Sequence, residues 1–239
     1  INARDYADSA SASRTDVEFV FDNGQTVTFG LVNEQNIPRI QTRGGTLLSW
    51  KSPYDLTQAE ADQFVIDEAE IAAGNEDGLD LRIIRYGTTM YLFIENKQVA
   101  ICDLTKCANS KGDTESGITA DTKMFVYLRH YDDAREAGVQ IPYSISTDVK
   151  PVEITVQAEN GSVSTVSTVN HYVNNVRTST TSDVHFVGEN ITLKATAADQ
   201  EYVHSQTKLN GQAVTVTNGA YTFTAREDRY EVETVFGKK

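Results

Sequence analysis

Cysteine is scarce in this 239-residue chain: there are two, Cys102 and Cys107, in a C-x4-C spacing. That is too few for a disulfide-rich scaffold, and with no histidine close by in sequence it does not match a zinc site. In an oxidising compartment the pair can close a small loop as a disulfide. In a reducing one it stays as two thiols, and the residues leave both open. Proline is also sparse, with four, and no apolar run approaches the ~18 residues of a membrane-spanning helix, so no membrane insertion is expected. Positive charge is the third shortage. Lysine and arginine number 21 against 34 aspartates and glutamates, a net charge of −13. Residues 1–150 hold −10 of it and residues 151–239 hold −3. An acidic field of this size repels phosphate backbones and anionic head groups, which argues against nucleic acid as a partner. Its plainest consequence is solubility. Catalytic signatures are missing too: no G-x-S-x-G, no H-E-x-x-H and no glycine-rich phosphate cradle. The four histidines, His130, His171, His185 and His204, are scattered and read as surface or strand residues rather than ligands. The chain opens at Ile1 rather than Met and reads as a mature chain or an excised internal fragment.

What is present is a β pattern. Residues 81–104, LRIIRYGTTMYLFIENKQVAICDL, split into three strands, LRIIRY, MYLFIE and QVAICDL. The breaks fall at Gly87-Thr88-Thr89 and at Asn96-Lys97, where Gly and Asn tolerate the backbone a tight turn needs. Between them Val, Ile, Tyr and Phe suit a pleated surface. Upstream, residues 1–14 form a small polar lead-in. Val17, Phe19 and Phe21 then alternate toward Asn23-Gly24, a strong hairpin signal from which residues 26–29 return. Residues 36–51 predict two further strands around Gly44-Gly45 and contain the single tryptophan, Trp50. Residues 55–73 break the alternation. Thr57 and Glu60 fit a capping box, Ala61, Phe64, Val65, Ala69 and Ala72 recur at helical spacing, and Gly74-Asn75 can end the segment, which predicts one helix. The acidic cluster Asp67, Glu68, Glu70, Glu76, Asp77 and Asp80 lacks the spacing of an EF-hand. Calcium therefore has no motif behind it, no cofactor is expected, and a solvated acidic face is the better account. After the meander, a polar loop over 108–122 leads to the strand MFVYLRHY, a charged loop at 132–138 and a last strand near 139–146.

Composition shifts near 148–151, where Pro151 restricts the residue before it. Beyond it, Asn160-Gly161, Gly188-Glu189, Asn210-Gly211 and Asn218-Gly219 separate the runs VEITVQA, NITLKATA, YVHSQTKL, QAVTVT and AYTFTA. Residues 170–182 read as a longer insertion or loop. The organisation expected is a lead-in over 1–14, one β domain over 15–149 and a second over 150–239. Many short strands without a repeating βαβ pattern predict a mainly all-β fold, with a sandwich in the first domain.

The meander and its flanks resemble the concanavalin A-like lectin and glucanase superfamily, which includes laminin-G-like domains. The carriers are an L-x-I-x-R-x-G strand (Leu81, Ile83, Arg85, Gly87), then Tyr91-Leu92-Phe93, the turn at Asn96, the return through Val99, and the closing MFVYLRHY and VQIPYSIST. Over 15–149 the resemblance implies a jelly-roll sandwich of two antiparallel sheets. The second domain resembles the internalin B-repeat-like modules of bacterial surface proteins. It does so in Phe186-Val187-Gly188-Glu189-Asn190-Ile191-Thr192-Leu193, Tyr202, Asn210-Gly211, Tyr221-Thr222-Phe223, Glu227-Asp228 and 231–236, without that family's usual tryptophan near Thr207. This implies a small β-grasp-like domain that serves as a spacer or adhesive segment outside the cell. Glucanases of the first group carry an E-x-D-x-x-E strand. The nearest stretch here, Asp67-Glu68-Ala69-Glu70, has the wrong spacing, so no catalytic residues and no enzyme are expected.

A sugar-binding surface asks for an aromatic face against the ring's C–H side and polar groups for its hydroxyls. The densest such set is Tyr127, Arg129, His130, Tyr131, Asp132, Asp133 and Arg135, at a strand end and loop, with Trp50 and Tyr54 as a second candidate. The plainer reading of the same residues is a charged turn with tyrosine and tryptophan in the core. Arg82 and Arg85 project to opposite faces of their strand, so at most one can line a concave face. The expectation is a non-catalytic, lectin-like or adhesin module, secreted or on a bacterial surface, monomeric within a larger multidomain chain. Its partner would be a glycan or a host surface protein. The alternatives are a purely structural stalk segment and an accessory domain of a glycoside hydrolase.

Overall fold

A computed structural model of the chain describes residues 2–3, 14–34, 37–44, 54–55, 79–94, 96–106, 116–131, 143–173 and 176–239. These residues are all-β. The first nine strands are β1 (Asn2–Ala3), β2 (Arg14–Phe21), β3 (Thr26–Glu34), β4 (Ile37–Gly44), β5 (Tyr54–Asp55), β6 (Leu79–Tyr86), β7 (Thr89–Ile94), β8 (Lys97–Asp103) and β9 (Met124–Tyr131). They are followed by β10 (Pro151–Glu159), β11 (Gly161–Ser164), β12 (Ser167–Val173), β13 (Val176–Ser182), β14 (His185–Phe186) and β15 (Asn190–Ala197). The last four are β16 (Tyr202–Leu209), β17 (Gln212–Val214), β18 (Ala220–Thr224) and β19 (Arg229–Lys238). Among the described residues no helix is long and apolar enough to cross a membrane.

The meander, the first hairpin and the strand MFVYLRHY form as expected. Two expectations are corrected. Residues 143–146, within the last strand expected near 139–146, are exposed and outside any strand. Residues 170–173 and 176–182 are not an insertion loop: they belong to β12 and β13, which join the meander's sheet. Apart from Asp55, which closes β5, the helix expected over 55–73 lies outside the described residues, as do Trp50, Cys107 and all of the acidic cluster except Asp80 in β6. The disulfide question falls there too, since only Cys102, buried in β8, is described.

The chain divides into two compact units, Ile1–Glu95 with Ala100–Ile145 and Asn170–Thr178, and Asn96–Val99 with Ser146–Val169 and Ser179–Lys239. The strands of the first unit belong to two sheets, of order β1-β6-β7-β8-β12-β13 and β5-β4-β3-β2-β9. Period-two alternation sends Val17, Phe19 and Phe21 to the buried face of β2. Strand β7 lies between β6 and β8 and is buried on both faces, through Met90 and Leu92 on one and Tyr91 and Phe93 on the other. That is why its sequence is a continuous apolar run rather than an alternating one. The hairpin between β2 and β3 closes where Phe21 N–H donates to Gln25 O at 2.8 Å, and Gly24 takes a φ of +84°. A three-residue loop with its last residue left-handed needs glycine there.

In the second unit β10 runs parallel to β19, with residues 153–159 beside 229–235, in a sheet of order β14-β10-β19-β16-β17. A three-stranded sheet, β11-β15-β18, accompanies it. Asn210-Gly211 and Asn218-Gly219 both have positive φ at each residue, the backbone of a type I′ hairpin turn. The core gathers Val152, Ile191, Ala225 and Tyr230, with Ile154, Val187, Leu209 and Phe223 packed against them. The Tyr230 hydroxyl accepts the N–H groups of Arg226 at 2.7 Å and Glu227 at 3.1 Å, so the buried ring also satisfies a turn. Along β19, buried Tyr230, Val232, Thr234 and Phe236 alternate with exposed Arg229, Glu231, Glu233 and Val235. The tightest approach is at Gly161, where a Cβ would lie 2.3 Å from Phe236 Cε2 and 2.6 Å from the Thr196 carbonyl oxygen. Backbone and a buried ring cannot both retreat from it. Gly161→Ala is therefore expected to destabilise the second unit by about 3 kcal/mol, lowering its thermal midpoint by roughly 12–24 °C. A midpoint within experimental error of wild type contradicts this packing.

Candidate functional site

The expected site residues separate in space. Tyr127 stands on β9, and Arg129, His130 and Tyr131 follow it on the same strand, paired in register with Asp16, Thr15 and Arg14 of β2. Asp132, Asp133, Arg135 and Trp50 lie outside the described residues. Tyr54 sits in β5, whereas β9 is the opposite edge of the same five-stranded sheet. Four strand spacings separate those edges, about 19 Å. Tyr54 and Tyr127 therefore stand on opposite edge strands of the described sheet.

The residue that sequence reasoning missed is Phe125. Strand β9 alternates: Met124, Val126 and Leu128 face the same side as Phe21, Phe19 and Val17, their partners in register on β2. Phe125 and Tyr127 face the other way, and they remain 60% and 51% exposed. Their partners in register are Val20 and Glu18, the latter buried. The signal was present in MFVYLRHY as an i, i+2 aromatic pair. Two large rings in line on an exposed strand face form an apolar strip that water covers at a free-energy cost.

The strip is held by ladders and by one side chain. Strand β9 pairs with β2 over eight consecutive residues, and the segment leading into it is fixed by Arg85 of β6. Arg85 donates from Nη1 to Thr122 O at 2.6 Å, and from Nη2 to Thr119 O at 2.8 Å and Ala120 O at 3.2 Å. Its Nε donates to Gly87 O at 3.2 Å. The guanidinium lies 5.3 Å from the centre of the Phe21 ring. Burial lowers the arginine's pKa from its ordinary value, and the nearby Asp22 carboxylate pulls it back up. An arginine stays charged through such a shift. Thr119 N–H donates to Thr122 Oγ1 at 2.9 Å, closing the same turn from within. Arg85 is thus a structural clamp whose donors are engaged by carbonyls.

Of the four histidines, all on strands, His185 is buried in β14. Its Nδ1 lies 2.8 Å from Glu189 Oε1, and Glu189 Oε2 accepts the Phe186 N–H at 3.1 Å. Both side chains are sealed from solvent, so the pair organises the turn at Gly188. His204 is half-buried, 2.9 Å from Thr207 Oγ1 and edge-on to Phe236. Among the described residues no three His, Cys, Asp or Glu side chains gather to hold a metal ion.

Replacing Arg85 by Met removes the guanidinium bonds to the Thr119, Ala120 and Thr122 carbonyls, of which Thr119 O keeps the Thr122 N–H at 3.2 Å. The expected loss is about 1–2 kcal/mol, seen in chemical denaturation of the first unit. Lysine is expected to recover less than half of it, because a point ammonium cannot fork across four carbonyls. Full rescue by lysine contradicts the clamp.

Compared with known protein families, with curated proteins and with solved structures, the chain matches none.

Proposed function

We propose that the chain is a non-catalytic binding module of an extracellular or bacterial surface protein, recognising a glycan or a host protein through its first unit, with the second unit as a spacer. The observation that carries this reading is the exposed pair Phe125 and Tyr127 on a strand anchored along its length. Rigid presentation lowers the entropy lost on binding, and aromatic side chains dominate recognition surfaces. The resemblance of residues 15–149 to lectin-like jelly rolls and of the remainder to surface-protein repeats points the same way, as does an acidity suited to an exposed protein. The spacer reading of the second unit is favoured by its solvent-facing ion pairs, Arg229–Glu153 at 2.8 Å and Lys208–Glu233 at 3.6 Å, which offer little free energy and no apolar contact area.

The test is retention of the protein on a panel of immobilised glycans and host surface proteins, beside the double variant Phe125→Thr/Tyr127→Thr. Retention on a member of the panel, lost in the double variant and without release of cleavage products, is the expected result. No retention anywhere, or retention unchanged in the variant, refutes the proposal.

A further inference from the structure

Resting on that binding reading, we infer that the Phe125–Tyr127 strip takes a neutral, linear glycan laid along β9, with each ring under one of two successive sugar residues. Three observations lead there. First, the rings occupy positions i and i+2 of one straight strand, so their Cα atoms are about 6.7 Å apart along it. That separation is comparable with one sugar residue of an extended chain, so the two rings form a track and not a single stacking point. Second, the rings are 60% and 51% exposed on a sheet face, so they support a polymer lying on the surface and do not enclose a chain end. A terminal monosaccharide bound in a pocket would need walls around it. Among the described residues β9 is the outer strand of its sheet.

Third, charge selects among glycans. Residues 1–150 carry a net −10, and the register places Glu18 beside Tyr127, while Asp16 and Arg129 stand in register as opposite charges and add no net field. Uronate, sulfate or sialic acid groups would approach this surface against its field, whereas an uncharged sugar meets only the ring faces. Aromatic rings attract the C–H groups of a pyranose through the same quadrupole that governs other ring contacts. A flat track of this kind distinguishes length and charge more than it distinguishes epimers.

The experiment titrates the full chain with neutral linear oligosaccharides of one to six sugars, from glucans and xylans of differing linkage, and with oligogalacturonates as the charged counterpart. Titration calorimetry reads the affinities, and amide chemical shifts locate binding. Affinity for at least one neutral series should rise about tenfold or more from one sugar to three, and the charged series should bind at least tenfold more weakly. Phe125→Thr and Tyr127→Thr should each weaken the trisaccharide about tenfold, while Tyr127→Phe keeps it within about twofold because the ring remains. Threonine holds the strand backbone, so unchanged β-sheet circular dichroism separates lost contact from lost fold. Affinity independent of length, or preference for the charged series, overturns the inference and leaves the binding reading standing, whereas insensitivity to both threonine variants overturns both. Retention on host proteins alone overturns the inference as well. Binding to neither glycans nor proteins overturns both.

Discussion

Four carbonyl oxygens converge on the guanidinium of Arg85, which also lies against the ring of Phe21. Through that one side chain β6 of the meander grips the turn that becomes β9, and it does so over the apolar face of β2. The interaction is demanding. A charge partly withdrawn from water needs compensation, and here the hydrogen bonds come from a fan of backbone carbonyls while the Asp22 carboxylate acts through charge alone. Only the planar fork of an arginine distributes its donors in this way. Burial lowers its pKa while Asp22 opposes the shift, as expected of a cation partly withdrawn from solvent but well partnered.

The consequence runs outward to the surface. With the start of β9 clamped and its length laddered to β2, the alternation of the strand decides everything else: Met124, Val126 and Leu128 turn toward the aromatic face of β2, and Phe125 and Tyr127 are left pointing into water. The strip is therefore a product of register. A slip of one residue would bury Phe125 and Tyr127 and expose the aliphatic residues between them. The second unit obeys a different constraint, close approach: Gly161 lets a backbone pass the ring of Phe236, and the sealed His185–Glu189 pair holds the turn at Gly188.

Much of this architecture was legible from local chemistry. Asn23-Gly24, Gly87, Asn96, Asn210-Gly211 and Asn218-Gly219 mark turns because few other residues accept their backbone, and all take positive φ at Gly24, Gly87, Asn96 or at both members of the last two pairs. Illegible features were those whose partners are remote. Strand β12 runs parallel to β8, pairing Asn170 with Ala100 seventy positions earlier. Its Thr-, Val- and Asn-rich sequence therefore resembled a loop until that neighbour was present. Arg85 could be assigned to a face, but three of the four carbonyls it binds lie 34 to 37 positions on. Attention to sugar-binding residue types found Tyr127 and passed over Phe125, since a single apolar ring on a strand ordinarily signals core. His185 and Glu189 lie four apart, yet nothing in that spacing told of their burial.

The most direct measurement is amide hydrogen exchange followed by NMR in wild type and Arg85→Met. If the clamp sets the strip, protection of the amides of Thr119, Thr122, Phe125 and Tyr127 falls together in the variant, while amides of β16 and β19 keep theirs. If β9 retains wild-type protection when Arg85 is lost, the strip is held by its ladder to β2 alone, and Arg85 is not the side chain on which it depends.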